Sequence, residues 1–374
     1  MSEKRGISRL GVIGIALTTV IGSGVWKDSL NWSSSAGVFS LVAVFVGWLL
    51  MLTVGLSYAE CVGMFPQGGG PYSYVGGAFG KRAGAFTGLL YYAAYCFIGA
   101  LLCFLTALFG LISVAPFTGL DVVTTVNIVI VTAVVIVLFG LWAGVTPIRH
   151  LGTIAFLWVL VKIVLVIGVF ALLFSSWAPV AIVPEFNGFQ SALNNRIWAL
   201  LGFEAMLVFS GEMQEPEKQM PKAILMALPV FLAVYLFVGL AASGAVATGE
   251  IPAGSGSGTL LGILSAKSGV LAGLVFALAS FSAAGTGYAI LATLTKQATI
   301  LASDGHLPSM LNHEWHGTKL NATLVTVVLV LIVGVSMTAS LDTWGTVVDN
   351  YAAVGIGLVL VAAMLPAGLT ALYL

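Results

Sequence analysis

Two ionisable side chains, those of Lys162 and Glu204, lie inside long apolar runs. Because a charge is costly in such surroundings, these two residues are the first candidates for a functional role. Lys162 lies between Val161 and Ile163, and Glu204 follows the largely apolar residues 198–203. An ionisable residue inside a membrane span is a functional hypothesis by default, with ion pathways and proton relays among its usual roles. The structural alternatives are a protonated Glu204 hydrogen-bonded to a neighbouring helix and a Lys162 paired with a carboxylate.

Lys162 is separated from both ends of its apolar run by about eleven residues, so its amine reaches a membrane surface by snorkelling only under strain. Burial in an apolar environment favours the neutral form of an amine. A lysine at this depth could therefore gain and lose a proton during function. Lys162 and Glu204 are the predicted proton-coupling residues.

A glycine-rich break near the start of the chain is the second candidate site. Gly22, Ser23 and Gly24 interrupt an apolar run, and each glycine in a helix costs roughly 1 kcal/mol relative to alanine. Irregular backbone at bilayer depth persists only where it is buried in protein or lines a wet cavity. A polar ligand would satisfy the freed backbone groups, and close packing of helices through small residues is the alternative.

The composition identifies the elements that must position these residues. Of 374 residues, 59% are hydrophobic and 7% are charged, and the mean hydropathy is +1.09. Soluble proteins contain about 25% charged residues, and a membrane barrel would show short alternating segments. The chain is therefore predicted to be an all-α polytopic membrane protein. Because its formal net charge is zero, no nucleic-acid partner is expected, and the partners are a small-molecule substrate and the lipid bilayer.

A spanning helix needs about 20 apolar residues, and this criterion predicts ten spans in one membrane domain covering residues 1–374. The spans are 8–26, 37–62, 83–114, 122–144, 151–174, 191–210, 223–248, 269–301, 322–339 and 343–373. An even division gives a first repeat at about 8–175 and a second at about 190–374. Helices 1 and 6 then begin the two repeats.

Helix 6 carries a second interruption, since Gly202 and Glu204 fall inside its apolar run. Breaks at corresponding positions of two halves indicate a transporter built from inverted repeats, with its substrate held near the midplane. Backbone amides after a break suit a carboxylate, whereas carbonyls before a break suit an ammonium group. A zwitterion of amino-acid size fits such a pair of poles.

Basic residues in short loops predict the orientation. With a cytoplasmic N-terminus, the cytoplasmic side collects Lys4, Arg5, Arg9, Lys81, Arg82, Arg149, Lys218, Lys222, Lys296 and Lys319, and the other side keeps Lys27, Arg196 and Lys267. This asymmetry predicts a multi-pass protein of the plasma membrane with its N-terminus in the cytoplasm. Between helices 2 and 3, the density of glycine and proline at 66–72 predicts a turn and not a helix.

Four stretches together resemble one known family. They are IGSGVW at 21–26, YAECVGMFPQGGGPYSYVGGAFG at 58–80, WALLGFE with GEMQEPEKQMPKAI at 198–224, and KQATILASDGHLP at 296–308. The chain resembles the amino acid, polyamine and organocation transporter superfamily, the amino acid permeases with the leucine transporter type of fold. The resemblance implies two inverted five-helix repeats, helices 1 and 6 broken at the midplane, and transport by alternating access.

By position in these motifs, the resemblance implies that the amides of Ser23 and Gly24 take the substrate carboxylate and that carbonyls near both breaks take its ammonium group. The carbonyls are those of Val20, Trp198 and Leu201. Lys162 resembles the helix-five lysine of proton-coupled members, where the ammonium stands in for a sodium ion. The predicted substrate-binding set is Val20, Ile21, Gly22, Ser23, Gly24, Trp198, Ala199, Leu201 and Gly202.

The sequence departs from the family in two places. Glu215 stands where many members have asparagine before a proline. Most members have twelve helices, and helices 11 and 12 are not recognisable here. These helices lie outside the repeat core, so their absence is expected to affect oligomer contacts more than the site.

The predicted function is proton-coupled symport of amino acids, with neutral amino acids favoured and protons as the coupling ion in place of any bound cofactor. An amino acid or polyamine exchanger is the alternative within transport. A membrane-embedded enzyme is disfavoured, because His313 and His316 in one loop lack a fuller set of metal ligands. A channel is disfavoured because no span carries a regular polar stripe.

Overall fold

The computed structural model describes residues 6–27, 36, 39–176, 193, 199–247, 269–315, 317–339, 368 and 370. Within this part of the chain the structure is helical, and its β-type pairing is the isolated bridge between Trp315 and Thr318. The α-helices are α1 Arg9–Val20, α2 Gly24–Lys27, α3 Phe39–Met64, α4 Pro71–Phe79, α5 Lys81–Thr118, α6 Thr125–Val145, α7 Ile148–Ala171, α8 Pro216–Ala247, α9 Gly269–Ser303 and α10 Leu320–Ala339. A 3₁₀ helix, Phe203–Glu212, precedes α8.

Seven of the described helices are long and apolar enough to cross a membrane. They are α3, α5, α6, α7, α8, α9 and α10, and the shorter apolar helix α1 belongs to the predicted first span. The predicted spans 191–210 and 343–373 fall partly or mostly outside the described residues. The architecture confirms the predicted fold class of an all-α polytopic membrane protein.

Apolar side chains form a lipid-facing stripe along α6. Val126, Ile130, Val134 and Leu138 recur every four residues and are all exposed. Positions four apart lie on one face of an α-helix, and a continuous exposed apolar face is what a bilayer covers. Ile128, Thr132 and Ile136 lie on the opposite, buried face; the helix therefore separates lipid from the protein core.

Helix α1 packs closely against α7 because glycine lies at the contact. A Cβ added at Gly14 would lie 2.5 Å from the Cα of Phe156, and one added at Gly11 would lie 3.0 Å from the Cα of Gly152. Small residues let two backbones approach in this way inside a membrane. The pairing brings the C-terminal end of α1 beside Lys162 in the middle of α7.

The segment between α3 and α5 differs in part from the prediction. Residues 66–70 form the predicted turn, in which Gly68, Gly69 and Gly70 all have positive φ angles. Glycine adopts this conformation without steric cost. Pro71 then begins helix α4, as proline does at a first helical position where its missing N–H is not needed. The prediction of a turn at 66–72 is therefore wrong for residues 71 and 72, which belong to a helix that continues to Phe79.

One face of the protein is identified by contacts around Glu212, and we call it the N-terminal face. The Ile7 amide donates to the Glu212 carbonyl at 3.0 Å, and the Lys296 ammonium donates to the Glu212 carboxylate. The turn after α3 also reaches this region, since a Cβ at Gly211 would clash with the Gln67 carbonyl. The start of α1, the turn before α4 and the end of the 3₁₀ helix therefore meet at this face.

Candidate functional site

Helix α1 ends at Val20, and residues 21–23 are non-helical before α2 begins at Gly24. The Ile21 amide still donates to the Leu17 carbonyl at 2.9 Å, and the Gly22 amide turns back to the Val20 carbonyl at 2.9 Å. In the described part of the chain, no acceptor lies within hydrogen-bonding distance of the amides of Ser23 and Gly24. The break therefore presents two backbone donors to the space beside it.

Lys162 on α7 connects the first break to α9 through hydrogen bonds. Its buried ammonium donates to the carbonyls of Thr18 and Ile21 and to the Thr286 hydroxyl, all at 3.0 Å. An ammonium group has three N–H donors, so the three acceptors match its full donor capacity. None of its partners in the described chain is a carboxylate, so the alternative of a structural ion pair does not hold within this part of the molecule.

Helix α9 supplies hydroxyl groups to the same break. The Thr286 hydroxyl donates to the Thr18 carbonyl at 2.7 Å, and the Ser282 hydroxyl donates to the Gly22 carbonyl at 3.0 Å. Ser282 and Thr286 are four residues apart and share one helix face. A Cβ at Gly22 would lie 3.1 Å from the Thr286 Oγ1, so glycine permits the close approach of α9.

Tyr235 on α8 connects the two interrupted segments. Its hydroxyl lies 3.0 Å from the Val20 carbonyl and 3.1 Å from the Ala199 carbonyl, and its single hydrogen is shared between them. A carbonyl has two lone pairs, so the Ala199 carbonyl keeps capacity to accept from a second donor, whereas the Val20 carbonyl already accepts from both Tyr235 and the Gly22 amide. Tyr235 therefore holds the ends of both interrupted segments within about 6 Å of one another, as two hydrogen bonds of ordinary length allow.

The second interruption lies at Gly202, whose φ angle is 110°. This conformation is open to glycine and strained for other residues, and the 3₁₀ helix begins directly after it. The Thr19 hydroxyl contacts the Gly202 carbonyl at 2.8 Å. Because Thr19 lies on α1, the two breaks are joined directly as well as through Tyr235.

Glu204 is completely buried beside the second break. The Tyr95 hydroxyl donates to its Oε1 at 2.9 Å, and the Gly202 amide donates to its Oε2 at 2.9 Å. Both carboxylate oxygens thus have a donor from the protein. This arrangement stabilises Glu204 in place and partly satisfies the broken backbone.

A cavity of about 500 Å³ of atom-free space, including its part open to solvent, lies between the two breaks. Seven of the predicted substrate-binding residues line it, namely Val20, Gly22, Ser23, Gly24, Ala199, Leu201 and Gly202. Glu204 also lines the cavity, whereas Ile21 and Lys162 lie behind the first break. Trp198 lies outside the described residues.

Sequence reasoning missed four side chains that complete the site. Thr19, Tyr95, Tyr235 and Thr286 line the cavity and come from four different helices. Their contacts join residues that are far apart in the chain, such as Tyr235 and Val20, which are 215 positions apart. The available signal was a polar residue on an otherwise apolar helix, such as Thr286 one turn after Ser282.

The described residues contain no cluster of three or more histidine, cysteine, aspartate or glutamate side chains that could hold a metal ion. His313 lies in a short loop after α9, and His316 lies outside the described residues. That the protein uses no metal or cofactor stays a prediction.

Comparisons with known proteins agree with this architecture. A family model described as "Amino acid permease" matches residues 7–368. The serine/threonine exchanger SteT of Bacillus subtilis is 26% identical over 66% of this chain and 57% of its own length. The cadaverine/lysine antiporter of Escherichia coli K12 is 26% identical over 83% of this chain and 70% of its own.

The human Asc-type amino acid transporter 1 is 27% identical over 86% of this chain and 64% of its own length. The chain thus spans between 57% and 70% of these relatives. A substrate-bound, outward-open Na⁺-coupled sialic acid symporter shares the fold, with a TM-score of 0.59 and 14% identity over 95% of this chain and 78% of its own. These proteins are transporters and not enzymes, and the chain belongs to the amino acid permease family, with the leucine transporter type of fold.

Proposed function

We propose that the protein is a proton-coupled symporter that carries neutral amino acids by alternating access. The observation that carries the proposal is the cavity between two broken segments, with Lys162 bound behind the first break and Glu204 bound beside the second. Each break offers backbone groups to a small polar ligand, and each is held by a group that can bind a proton.

The two poles of a zwitterion have counterparts in the cavity. The amides of Ser23 and Gly24 have no acceptor in the described chain and would bind the substrate carboxylate. The Ala199 carbonyl accepts from Tyr235, and its second lone pair would bind the substrate ammonium group. The Val20 carbonyl accepts from both Tyr235 and the Gly22 amide and would add its negative partial charge to the same pole. The carbonyls of Trp198 and Leu201 are expected to contribute to the same pole.

The charge of the described lining favours a neutral side chain on the substrate. Glu204 is the one carboxylate among the described cavity residues, and both of its oxygens already accept from Tyr95 and Gly202. A cationic substrate side chain would have to displace one of these donors. Apolar neighbours such as Ile98, Leu102 and Ile290 suit an uncharged side chain instead.

Proton coupling would act through the attachment of α1. A protonated Lys162 donates to two carbonyls of the broken segment. Loss of its proton would remove the positive charge and one donor, weakening the link between α1, α7 and α9. This weaker attachment of the first break would couple proton release to movement of α1 and to release of the substrate.

We place the N-terminal face in the cytoplasm and the protein in the plasma membrane. The predicted excess of basic residues at this face supports the orientation, and Arg9, Lys81 and Arg149 lie at helix starts. The proposed direction of transport is from outside to inside. Division of the whole chain into two inverted five-helix repeats is part of the same proposal.

Exchange is the second candidate function, because two of the relatives are named as an exchanger and an antiporter. Uptake of a panel of labelled amino acids into proteoliposomes distinguishes the two. Symport predicts accumulation of a neutral amino acid when the pH is lower outside, without internal substrate. Uptake that requires preloaded internal substrate and ignores the pH gradient would establish exchange and refute symport.

A further inference from the structure

Three tyrosine side chains lie buried between Glu204 and the N-terminal face, and we call them the tyrosine cluster. They are Tyr58 on α3, Tyr74 on α4 and Tyr91 on α5, and all three are at most 1% exposed. Within the described part of the chain, the hydroxyls of Tyr58 and Tyr74 have no hydrogen-bond partner, and the Tyr91 hydroxyl interacts with that of Tyr95. The cluster is therefore a polar region inside the protein that the proposed substrate site does not use.

The cluster is continuous with Glu204. The Tyr58 and Tyr74 rings are 6.1 Å apart, and Tyr91 stacks on Tyr95 with ring centroids 4.4 Å apart. Tyr95 in turn donates to Glu204. The titratable groups close enough to Tyr58 for direct electrostatic interaction are Glu204, Tyr91, Tyr74 and Cys61. A connected set of polar groups thus begins at Glu204 and ends in α4.

The direction of this set follows from the helices that carry it. Tyr58 lies six residues before the end of α3 at Met64, and Tyr91 lies ten residues after the start of α5 at Lys81. Both of these helix ends adjoin the turn and α4, which belong to the N-terminal face. The cluster therefore spans from the depth of Glu204 toward that face.

Gln297 on α9 adds two further polar atoms. It is 1% exposed, and its amide nitrogen and oxygen both lack a partner in the described chain. Leu294 and Leu301, its neighbours by helical spacing, approach Gly99 and Gly88 of α5. Because residues three and four apart share a helix face, Gln297 faces the stretch of α5 that carries Tyr91 and Tyr95.

Four buried polar atoms without partners in the described chain require an explanation, namely the hydroxyls of Tyr58 and Tyr74 and the two amide atoms of Gln297. A buried hydroxyl or amide left unpaired is strongly unfavourable, and proteins satisfy such groups with ordered water. Three hydroxyls and an amide can each donate to and accept from water. This composition suits a short chain of water molecules held between the side chains.

We propose that the tyrosine cluster holds ordered water that carries protons between Glu204 and the N-terminal face. This inference rests on the proposed proton-coupled function. A proton leaving the Glu204 carboxyl passes to the nearest water, and each hydroxyl or water then donates one proton as it accepts another. Every intermediate group ends with the protons it began with, and the Glu204 carboxylate that remains is stabilised by Tyr95 and Gly202.

The test compares Tyr58→Phe and Tyr74→Phe with the control Tyr92→Phe, each of which removes one hydroxyl and little else. Tyr92 is adjacent to Tyr91 but bonds to Thr326 at 2.8 Å, outside the cluster. Substrate-driven acidification of the lumen is followed with a trapped pH dye in proteoliposomes. Substrate counterflow and thermal unfolding are measured on the same preparations.

The proposal predicts that Tyr58→Phe and Tyr74→Phe each slow acidification by about tenfold. Loss of one hydrogen bond from the water chain raises the free-energy barrier to proton transfer, and the free energy of one hydrogen bond corresponds to about this factor in rate. Counterflow and the rate for Tyr92→Phe should match the wild type. The variants should also unfold at an equal or lower temperature, because a hydrated hydroxyl contributes hydrogen bonds. Removal of a dry, unpaired hydroxyl would instead raise the unfolding temperature.

Acidification at the Tyr92→Phe rate, or a raised unfolding temperature, would overturn the water path while leaving symport intact. Failure of the proposed function gives a different pattern. A wild-type protein that transports substrate without acidifying the lumen would refute symport and, with it, the path.

Discussion

Replacement of Lys162 by methionine tests the proposed link between proton binding and the first break. Methionine keeps an unbranched side chain, one atom shorter than that of lysine, and removes the charge and the three N–H donors. The Thr18 carbonyl would keep the Thr286 hydroxyl at 2.7 Å. Among the side-chain donors of the described residues, the Ile21 carbonyl would keep the Ser282 hydroxyl at 3.4 Å, which lies nearer the Gly22 carbonyl at 3.0 Å. In effect, one buried carbonyl loses its donor.

Two opposing terms set the effect on stability. A buried carbonyl left without a donor costs about 1–3 kcal/mol. Removal of a buried charge recovers desolvation energy, which is of the order of several kcal/mol for an ion in a protein interior. Because the terms largely offset each other, we expect Lys162→Met to fold, with a change in the free energy of unfolding of about 2 kcal/mol or less.

The effect on coupling should be much larger than the effect on folding. One pH unit corresponds to about 1.4 kcal/mol per proton, enough for about tenfold accumulation of a substrate carried with one proton. We expect the wild type to accumulate substrate under such a gradient and Lys162→Met to reach only the external concentration. Counterflow should persist in the variant, because it requires the cavity and no net proton movement.

The assay measures accumulation of a labelled neutral amino acid in proteoliposomes with a gradient of about one pH unit. Lys222→Met is the matched control, since Lys222 is exposed near the start of α8. Accumulation by Lys162→Met with the wild-type pH dependence would refute the coupling role. Loss of counterflow together with accumulation would assign Lys162 a structural role only.

Three further substitutions test other parts of the account. Gly24→Val should weaken amino-acid binding measured by calorimetry at least about tenfold by filling space beside the carboxylate pole; unchanged affinity in a folded variant would exclude that pole. Glu204→Gln keeps an oxygen that can accept from the Gly202 amide but cannot bind and release a proton. We expect proton-driven accumulation to fall while counterflow continues, and unchanged accumulation would remove Glu204 from coupling. Glu215 has a φ angle of 46°, a conformation that asparagine adopts more readily than glutamate. Glu215→Asn should therefore raise the unfolding temperature, because the relief of about 1 kcal/mol of backbone strain exceeds the few tenths of a kcal/mol lost with the exposed Lys218 ion pair. A lowered unfolding temperature would contradict this reasoning.

The positions of the two breaks could be predicted from the sequence because glycine is the local cause of each. Gly22 and Gly24 disfavour continuation of α1, and Gly202 adopts a positive φ angle that other residues avoid. The apolar residues on either side of Lys162 and Glu204 likewise predict that both side chains lie deep in the membrane. Local composition and hydropathy therefore contain the information for the spans, the breaks and the buried charges.

The partners of these groups could not be predicted, because they depend on how distant helices pack. Tyr95, Tyr235 and Thr286 form hydrogen bonds with residues that are 109, 215 and 268 positions away in the chain, respectively. No local pattern distinguishes these hydroxyls from others in apolar helices. Helix α4 was missed for a different reason, since the glycines before Pro71 concealed a helix start that proline itself favours.

The most direct test of the central claim is a structure of the protein with a bound neutral amino acid. The account predicts the substrate between residues 21–24 and 199–202, with carboxylate oxygens within about 3.2 Å of the amides of Ser23 and Gly24. Its ammonium group should face the carbonyls of Val20 and Ala199. A substrate bound outside this cavity, or with its poles reversed, would contradict the account.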